Sequence, residues 1–418
     1  MSPRVLLLAR SFPPVQAIAA VRTGSIAKQL AMRGWEVTVA TVRPDIVDEN
    51  ALGAQMSGGI SGVRRIECGH GLRFLLPGLL KEGKSRLRRA FSRAGRRLAR
   101  ALWIEDGVGW INPVLTECRD LEAGSFDVVL VSGPPFMGYV AARRLAIRLR
   151  CALVVDYRDP WTVSAYRSAG APFWMRRLEA KLLRSADLVT TVSPSLAEVI
   201  ERLGDGRTKV RVVSNGYDPE ASSEAVPRNF GHPAIVYAGE FYPPKSTIAP
   251  VMRLLASAKG RVPGLRLHYY GRAGSHVLEA ARKAGVAEMV EIHGLVARRE
   301  VLDAIAGALA AVVITSVEPE CSRLDAGIVT GKLFEPMALK CPVLLIAPEG
   351  SDARDVVARA ACGRAFRGDE IEGMREFVEA LWRGEERPSF AGMAEYSWPV
   401  LIAGLAEALQ TVVDERRA

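Results

Sequence analysis

Short apolar runs that end in glycine-, proline- or serine-bearing loops, each followed by a stretch of helical spacing, recur along most of the chain. This alternation limits the possible folds more than any other feature. Val5–Ala9 reads as a buried strand, Ala19–Arg33 as a helix stopped by Gly34, and Glu36–Val42 as a second strand. Further strands are predicted at Asp127–Val131, Leu153–Asp156, Leu188–Val192 and Val210–Val213, with helices such as Met137–Leu149 and Ser195–Leu203 between them. Such alternation predicts a parallel sheet covered by helices on both faces. Residues 218–233 interrupt it with Pro219, Ser222, Ser223, Pro227, Gly231 and Pro233 and little apolar matter. A second series follows, with strands predicted at Ile235–Ala238, Arg266–Tyr270, Val290–His293, Ala311–Thr315 and Val343–Ile346. The expectation is an α/β chain of two Rossmann-like domains with parallel sheets and an interdomain cleft. The first domain spans 1–218, a linker 219–233 and the second domain 234–393. Residues 394–418 are helical in spacing, with Leu401, Leu405 and Leu409 on one face, and are free to pack back on the first domain.

The chain has 418 residues, 49% of them apolar, which is material for two cores. The apolar start at Val5–Ala9 is too short for a signal core, and no segment approaches the ~20 apolar residues of a spanning helix. A cytoplasmic protein is therefore expected. The cysteines at 68, 118, 151, 321, 341 and 362 form no CxxC pair, as suits reduced thiols. The histidines at 70, 232, 268, 276 and 293 show no ligand spacing, so no metal is expected. The net charge is +10, and most of it is local: Lys81–Arg100 holds nine basic residues against one acid. Over residues 86–102, Leu87, Phe91, Ala94, Leu98 and Ala101 fall on one helical stripe, with Arg88, Arg89, Arg96 and Arg97 on the other faces. A basic amphipathic helix of this kind suits an anionic membrane surface, so peripheral association at the inner face of the cytoplasmic membrane is expected. No motif accompanies the charge that would point to nucleic acid.

Ligands of open α/β sheets bind beyond the carboxyl ends of the strands, so the residues at strand exits are the candidates. In the first half the exits are Ser11-Phe12-Pro13-Pro14, Ser132-Gly133-Pro134-Pro135 and Asp156-Tyr157-Arg158-Asp159-Pro160-Trp161. The last of these offers Arg158 and Asp159 to sugar hydroxyls and Trp161 as a flat apolar face, unless the charges simply cap the next helix. In the second half the exits are Gly239-Glu240, Gly271-Arg272, Gly294-Leu295 and Ser316, and a glycine there lets backbone approach a ligand. Gly331-Lys332-Leu333-Phe334-Glu335 is predicted to open a helix, whose free N–H groups attract phosphate, with Lys332 adding a full charge. Lys245, after Pro243-Pro244, is a second candidate for a diphosphate. The GxxxxGK(S/T) and GxGxxG patterns are absent, so an ATPase P-loop or a nicotinamide or flavin site is not supported.

These segments, in this order, resemble the large retaining glycosyltransferase family of GT-B fold known as GT4, which includes sucrose-synthase-like and bacterial polysaccharide transferases. The resemblance rests on Leu8-Ala9-Arg10-Ser11-Phe12-Pro13-Pro14, Arg22, Gly34-Trp35-Glu36-Val37-Thr38-Val39 and Asp156 to Trp161. It continues through Ala186 to Ser193, Val213-Ser214-Asn215-Gly216-Tyr217-Asp218, Val236-Tyr237-Ala238-Gly239, Gly331 to Glu335 and Cys341-Pro342-Val343-Leu344. It implies metal-independent transfer, with retention, from a UDP- or GDP-linked sugar to a glycan or lipid-linked acceptor, with no cofactor beyond the donor. Lys245 and Lys332 would counter the diphosphate, Glu335 would hold the ribose and Gly294-Leu295 would line the base. Gly239, Gly271, Leu333 and Phe334 would complete the donor wall, and Asp159 would join the two lysines at the reacting centre. Pro14, Arg22, Arg158 and Trp161 would face the acceptor. The chain departs from the family at Gly327, where a first glutamate often stands, at Pro336 after Glu335, at Val15-Gln16-Ala17 in place of a glycine pair, and near the first strand of the second domain, where an expected basic pair is reduced to Lys245, behind Glu240. Two other readings remain at this point: a nucleotide-sugar 2-epimerase of the same fold, and a nucleotide-sugar binder without turnover.

Overall fold

A computed structural model describes residues 2–15, 18–43, 46, 60–71, 107–163 and 170–418. The basic stretch at 81–102, with Leu87, Arg88, Arg89, Phe91, Arg96 and Arg97, lies outside the described residues. The chain divides into two units, Met1–Ser214 with Leu401–Ala418, and Asn215–Val400.

The first unit is built on a seven-stranded parallel sheet in the order β3-β2-β1-β4-β5-β6-β7. Its strands are β1 (Arg4–Leu8), β2 (Glu36–Val42), β3 (Val63–Cys68), β4 (Val128–Gly133), β5 (Ala152–Tyr157), β6 (Leu188–Thr191) and β7 (Val210–Val212). The central strands are near-continuous Val/Leu runs because helices cover both faces of the sheet: Val5 to Leu8 and Val128 to Val131 are fully buried. The helices Ile18–Met32, Gly138–Leu149, Phe173–Ser185 and Pro194–Leu203 supply those covers. The sequence reading missed β3. It is an edge strand whose arginines and glutamate alternate with half-buried Val63 and Ile66, so it never shows a solid apolar run.

The second unit repeats the plan with six parallel strands ordered β10-β9-β8-β11-β12-β13. These are β8 (Ala234–Ala238), β9 (Arg266–Tyr270), β10 (Val290–Gly294), β11 (Ala310–Ile314), β12 (Val343–Ile346) and β13 (Gly363–Phe366). In both sheets the order reverses beside the first strand, which creates the switch point where such folds bind ligands. Here that point lies between the ends of β8 and β11.

Residues 219–233, expected as a linker, belong to this unit. They contain a helix, Pro219–Ser223, and then run along the helix Arg298–Ala306, where Asp303 accepts from the Val226 N–H at 2.7 Å and its carbonyl from the Arg228 N–H at 2.8 Å. Proline-rich chain cannot pair with itself, so a neighbouring helix supplies its partners. The C-terminal helix Trp398–Arg417 starts after a 3-10 turn, with Pro399 tolerated in its first turn. From Leu401 onward it belongs to the first unit, tied there by Lys209–Glu415 at 2.7 Å and Arg417–Asp127 at 2.8 Å. Among the described residues no helix is long and apolar enough to cross a membrane.

Candidate functional site

The strand exits of the second unit converge around one ammonium group. The Lys332 Nζ donates to the Glu240 carbonyl at 3.2 Å and lies 5.2 Å from the centre of the Tyr237 ring. Tyr237, Phe241 and Tyr269 stack into an aromatic wall, with Tyr237 and Phe241 centroids 4.8 Å apart. The Tyr269 hydroxyl donates to the Gly239 carbonyl at 3.0 Å and accepts from the Ala273 N–H at 3.0 Å, locking two exit loops together. Two glycines are required here. Gly239 sits at φ +127°, and a Cβ on it would come within 2.2 Å of Lys332 Nζ. A Cβ on Gly271 would meet the Gly239 carbonyl oxygen at 2.6 Å. Burial pushes the Lys332 pKa down to about 8, with Glu240 and Glu335 pulling the other way. The Thr315 hydroxyl, at the exit of β11, is buried without a hydrogen-bond partner among the described residues.

The structure revises the other donor-side expectations. The helix expected to open at Gly331 is a 3-10 turn, Gly331–Leu333, followed by only five helical residues, Phe334–Ala338. Pro336 falls in that first turn, where its missing N–H costs nothing. Few peptide dipoles align in so short a helix, so the Lys332 side chain must carry the attraction for an anion. Leu333 and Phe334 are core residues beneath the site rather than its lining. Glu335 is held by Arg298, whose Nη2 and Nε donate at 2.8 and 3.1 Å. Lys245 is ion-paired with the buried Asp325 and lies 3.7 Å from Glu318, so its charge is already countered. Gly294 (φ +70°) ends β10, and Leu295 beyond it is 66% exposed. Sequence reasoning missed Arg298 and Asp325, because no spacing rule links residues 37 and 80 positions apart.

In the first unit, two residues expected at an acceptor surface are interior. Arg22 is 2% exposed. It donates to both Asp156 carboxylate oxygens at 2.8 and 3.0 Å and to the carbonyls of Val213 and Ser214 at 2.9 Å each. Asp156 also accepts from Ser132 at 2.7 Å and Thr190 at 2.8 Å. Burial opposes the Asp156 charge, but Arg22, Ser132 and Thr190 outweigh it and hold the pKa below the usual carboxylate value. Trp161 is 5% exposed and stacks on Phe136 at 5.4 Å, so its face is used by the core and is not open to a sugar. Arg158 is half-buried and donates to the Gly133 and Pro134 carbonyls at 3.0 and 2.8 Å, fixing one exit loop to the next. Asp159 is the exposed carboxylate of this group, and Pro14 is half-buried. Burial against the surrounding chain raises the Asp159 pKa, and Arg158 opposes that shift. Glu179, unmarked by any motif, is fully buried beneath this loop. It accepts from the hydroxyls of Thr162 and of Tyr157, the latter at 3.2 Å, and burial pushes its pKa up to about 7.

Residues 19–216 match the model of a glycosyl transferase 4-like domain. No curated protein matches the chain. Several solved structures share its fold at low identity. A sucrose-phosphate synthase from Thermosynechococcus elongatus superposes with a TM-score of 0.66 at 14% identity, covering 99% of this chain and 100% of that one. HepE from Anabaena, solved with UDP and glucose, gives 0.60 at 14% identity, with 98% and 100% covered. A glycosyltransferase from Rickettsia africae gives 0.59 at 12% identity, with 99% of each chain covered. The chain thus carries a glycosyl transferase 4-like domain over residues 19–216 and has the two-domain fold of the GT-B glycosyltransferases.

Proposed function

We propose that the chain transfers a sugar, with retention, from a UDP- or GDP-linked donor to a glycan or lipid-linked acceptor of polysaccharide biosynthesis. The observation that carries this reading is the half-buried Lys332 ammonium at the switch point of the second unit, set against Gly239 and a wall of stacked aromatics. In the reaction the bond between the sugar C1 and the diphosphate oxygen breaks, and its electron pair goes to the diphosphate. The acceptor oxygen forms the new bond to C1 and releases its proton. Charge therefore builds on the leaving diphosphate, and a cation already aimed there stabilises the transition state without reorganising. HepE, of the same fold, has been solved with UDP, which supports a uridine-type donor. Asp159, an exposed carboxylate at the exit of β5, is assigned to the acceptor side in this reading.

The direct test is calorimetry with UDP- and GDP-sugars, followed by product analysis with candidate acceptors. One donor class is expected to bind, and its sugar to appear on an acceptor. A second reading, binding without turnover, draws on Gly327 and on the pairing of Lys245 with Asp325, since both leave fewer groups for the diphosphate. Tight donor binding with neither transfer nor hydrolysis would establish that reading. Epimer formed from the donor alone would establish the 2-epimerase reading.

Transfer is expected to persist in EDTA below the unfolding temperature, with no gain from added manganese or magnesium, because Lys332 supplies the charge a divalent ion would otherwise bring. Restoration of a lost activity by either ion would refute this. The basic stretch at 81–102 supports action at an anionic membrane surface, each cation there adding up to ~1 kcal/mol. Co-sedimentation with anionic vesicles is expected at low salt and to weaken at high salt. If charge reversal at Arg88, Arg89, Arg96 and Arg97 left sedimentation unchanged, the stretch would have no part in it.

A further inference from the structure

Three of the five histidines, unrelated in sequence spacing, meet on one face of the second sheet at its β10 edge. His268 lies on β9, His293 on β10, and His232 on the segment just before β8. The Nε2 atoms of His232 and His268 are 3.0 Å apart, and the Nδ1 of His268 is 3.0 Å from the Nε2 of His293. Their rings stack nearly parallel, and Tyr270 closes the stack on His293 with centroids 4.4 Å apart. Glu291 brings a carboxylate oxygen 3.6 Å from His268 Nδ1. One ligand atom from each of His232, His268 and Glu291 lies within 4.8 Å of the others.

We propose that His232, His268 and Glu291 bind a transition-metal dication of the zinc and cobalt class, with His293 as a positioning residue behind His268. Two imidazole nitrogens 3.0 Å apart subtend an angle of about 90° at an ion ~2.1 Å from each. That angle suits a six-coordinate ion; with ring centroids 5.3 Å apart the two nitrogens face each other along one line, so both rings have to turn to aim at it. Glu291 is half-exposed and paired with Arg266 at 2.6 Å through one oxygen; its other oxygen, 3.6 Å from His268 Nδ1, has to turn toward the Nε2 side to reach the ion. Water fills the remaining positions beside half-buried His232.

The tautomers also agree. For His268 to ligate through Nε2, its proton must sit on Nδ1, and His293 Nε2 stands there to accept it. The ion would clip the segment before β8 to the edge of the sheet. The same distances are satisfied without metal by a chain of neutral imidazoles, His232 donating to His268 and His268 to His293. The experiment must separate the two.

Full-length protein, stripped with chelator and dialysed, is titrated with zinc by calorimetry and with cobalt(II) by absorption. One equivalent is expected to bind, with a weak visible cobalt band and no strong near-ultraviolet thiolate absorption. Zinc should raise the unfolding midpoint. His232→Ala, at a half-buried position that tolerates truncation, is expected to lose both the site and the midpoint rise, and His293→Ala to weaken affinity ~10–100-fold. His276→Ala, outside the cluster, should bind as the wild type does. Absence of binding, or equal affinity in wild type and His232→Ala, would leave only the neutral imidazole chain. Thiolate absorption would move the ion to a cysteine and overturn the assignment.

Discussion

Arg22→Ala is expected to destabilise the first unit by about 3–5 kcal/mol, seen as a large fall in the urea midpoint of the full chain. The magnitude follows from what remains behind. Asp156 is 1% exposed, and Arg22 is the cation beside its carboxylate. Ser132 and Thr190 still donate to it, but two neutral hydroxyls do not balance a buried charge. The carbonyls of Val213 and Ser214 also lose their donor, which loosens the chain after β7. Arg22→Met combined with Asp156→Leu should recover much of the loss, since an apolar pair of similar size carries no desolvation cost. Acid should act as the single mutation does. The Asp156 pKa is depressed in the fold, so its stabilisation is present above the unfolded value and is lost as pH falls through the folded one. If Arg22→Ala shifted the midpoint no more than an average surface change, the pair would not be the support described here.

Lys332→Met is expected to weaken nucleotide-sugar binding by about 1.5–3 kcal/mol, roughly tenfold to more than a hundredfold, while raising the stability of the ligand-free protein. Both signs have one origin. The ammonium is half-buried and stands apart from bulk water, so the fold holds its pKa down at about 8 against 10.5 for a free lysine. Between those values the unfolded chain binds more protons than the folded one, so wild-type stability should rise with pH across that window. A methionine of similar length removes the cost. A bound diphosphate reverses the balance by favouring the charged form. Donor affinity should therefore fall as pH rises through about 8, and binding near that pH should take up protons, measurable as a dependence of the calorimetric heat on buffer ionisation. Unchanged affinity in Lys332→Met, with no proton uptake in the wild type, would move the donor site elsewhere.

The elements and their class were legible because their signals are local. A buried parallel strand is a run of valine and leucine a few residues long, and Val5–Ala9, Asp127–Val131 and Ala311–Thr315 announce it within one window. Gly34 and Gly239 mark a helix end and a strand exit by the positive φ each must adopt. The edge strands β3 and β13 escaped notice for the converse reason, since a strand covered on one side needs no continuous apolar run. Candidate charges were legible as residue types and not as roles. Arg22, Lys245 and Glu335 look alike as exposed polar groups in a string of letters.

Their partners decided otherwise, and those partners are distant in sequence. Asp156 lies 134 positions from Arg22, Asp325 80 from Lys245, and Arg298 37 from Glu335. Trp161 was offered as a sugar platform, and the packing of Phe136 against it made it core. His232, His268 and His293 carry no motif at all and became neighbours only when β8, β9 and β10 paired side by side. Backbone preference and apolar period act over a few residues, so the sequence by itself determined the two α/β series and the exits where chemistry belongs. Which charges remain available at those exits was settled by tertiary structure alone, because a buried ion must find its counter-charge wherever the sheet order brings one.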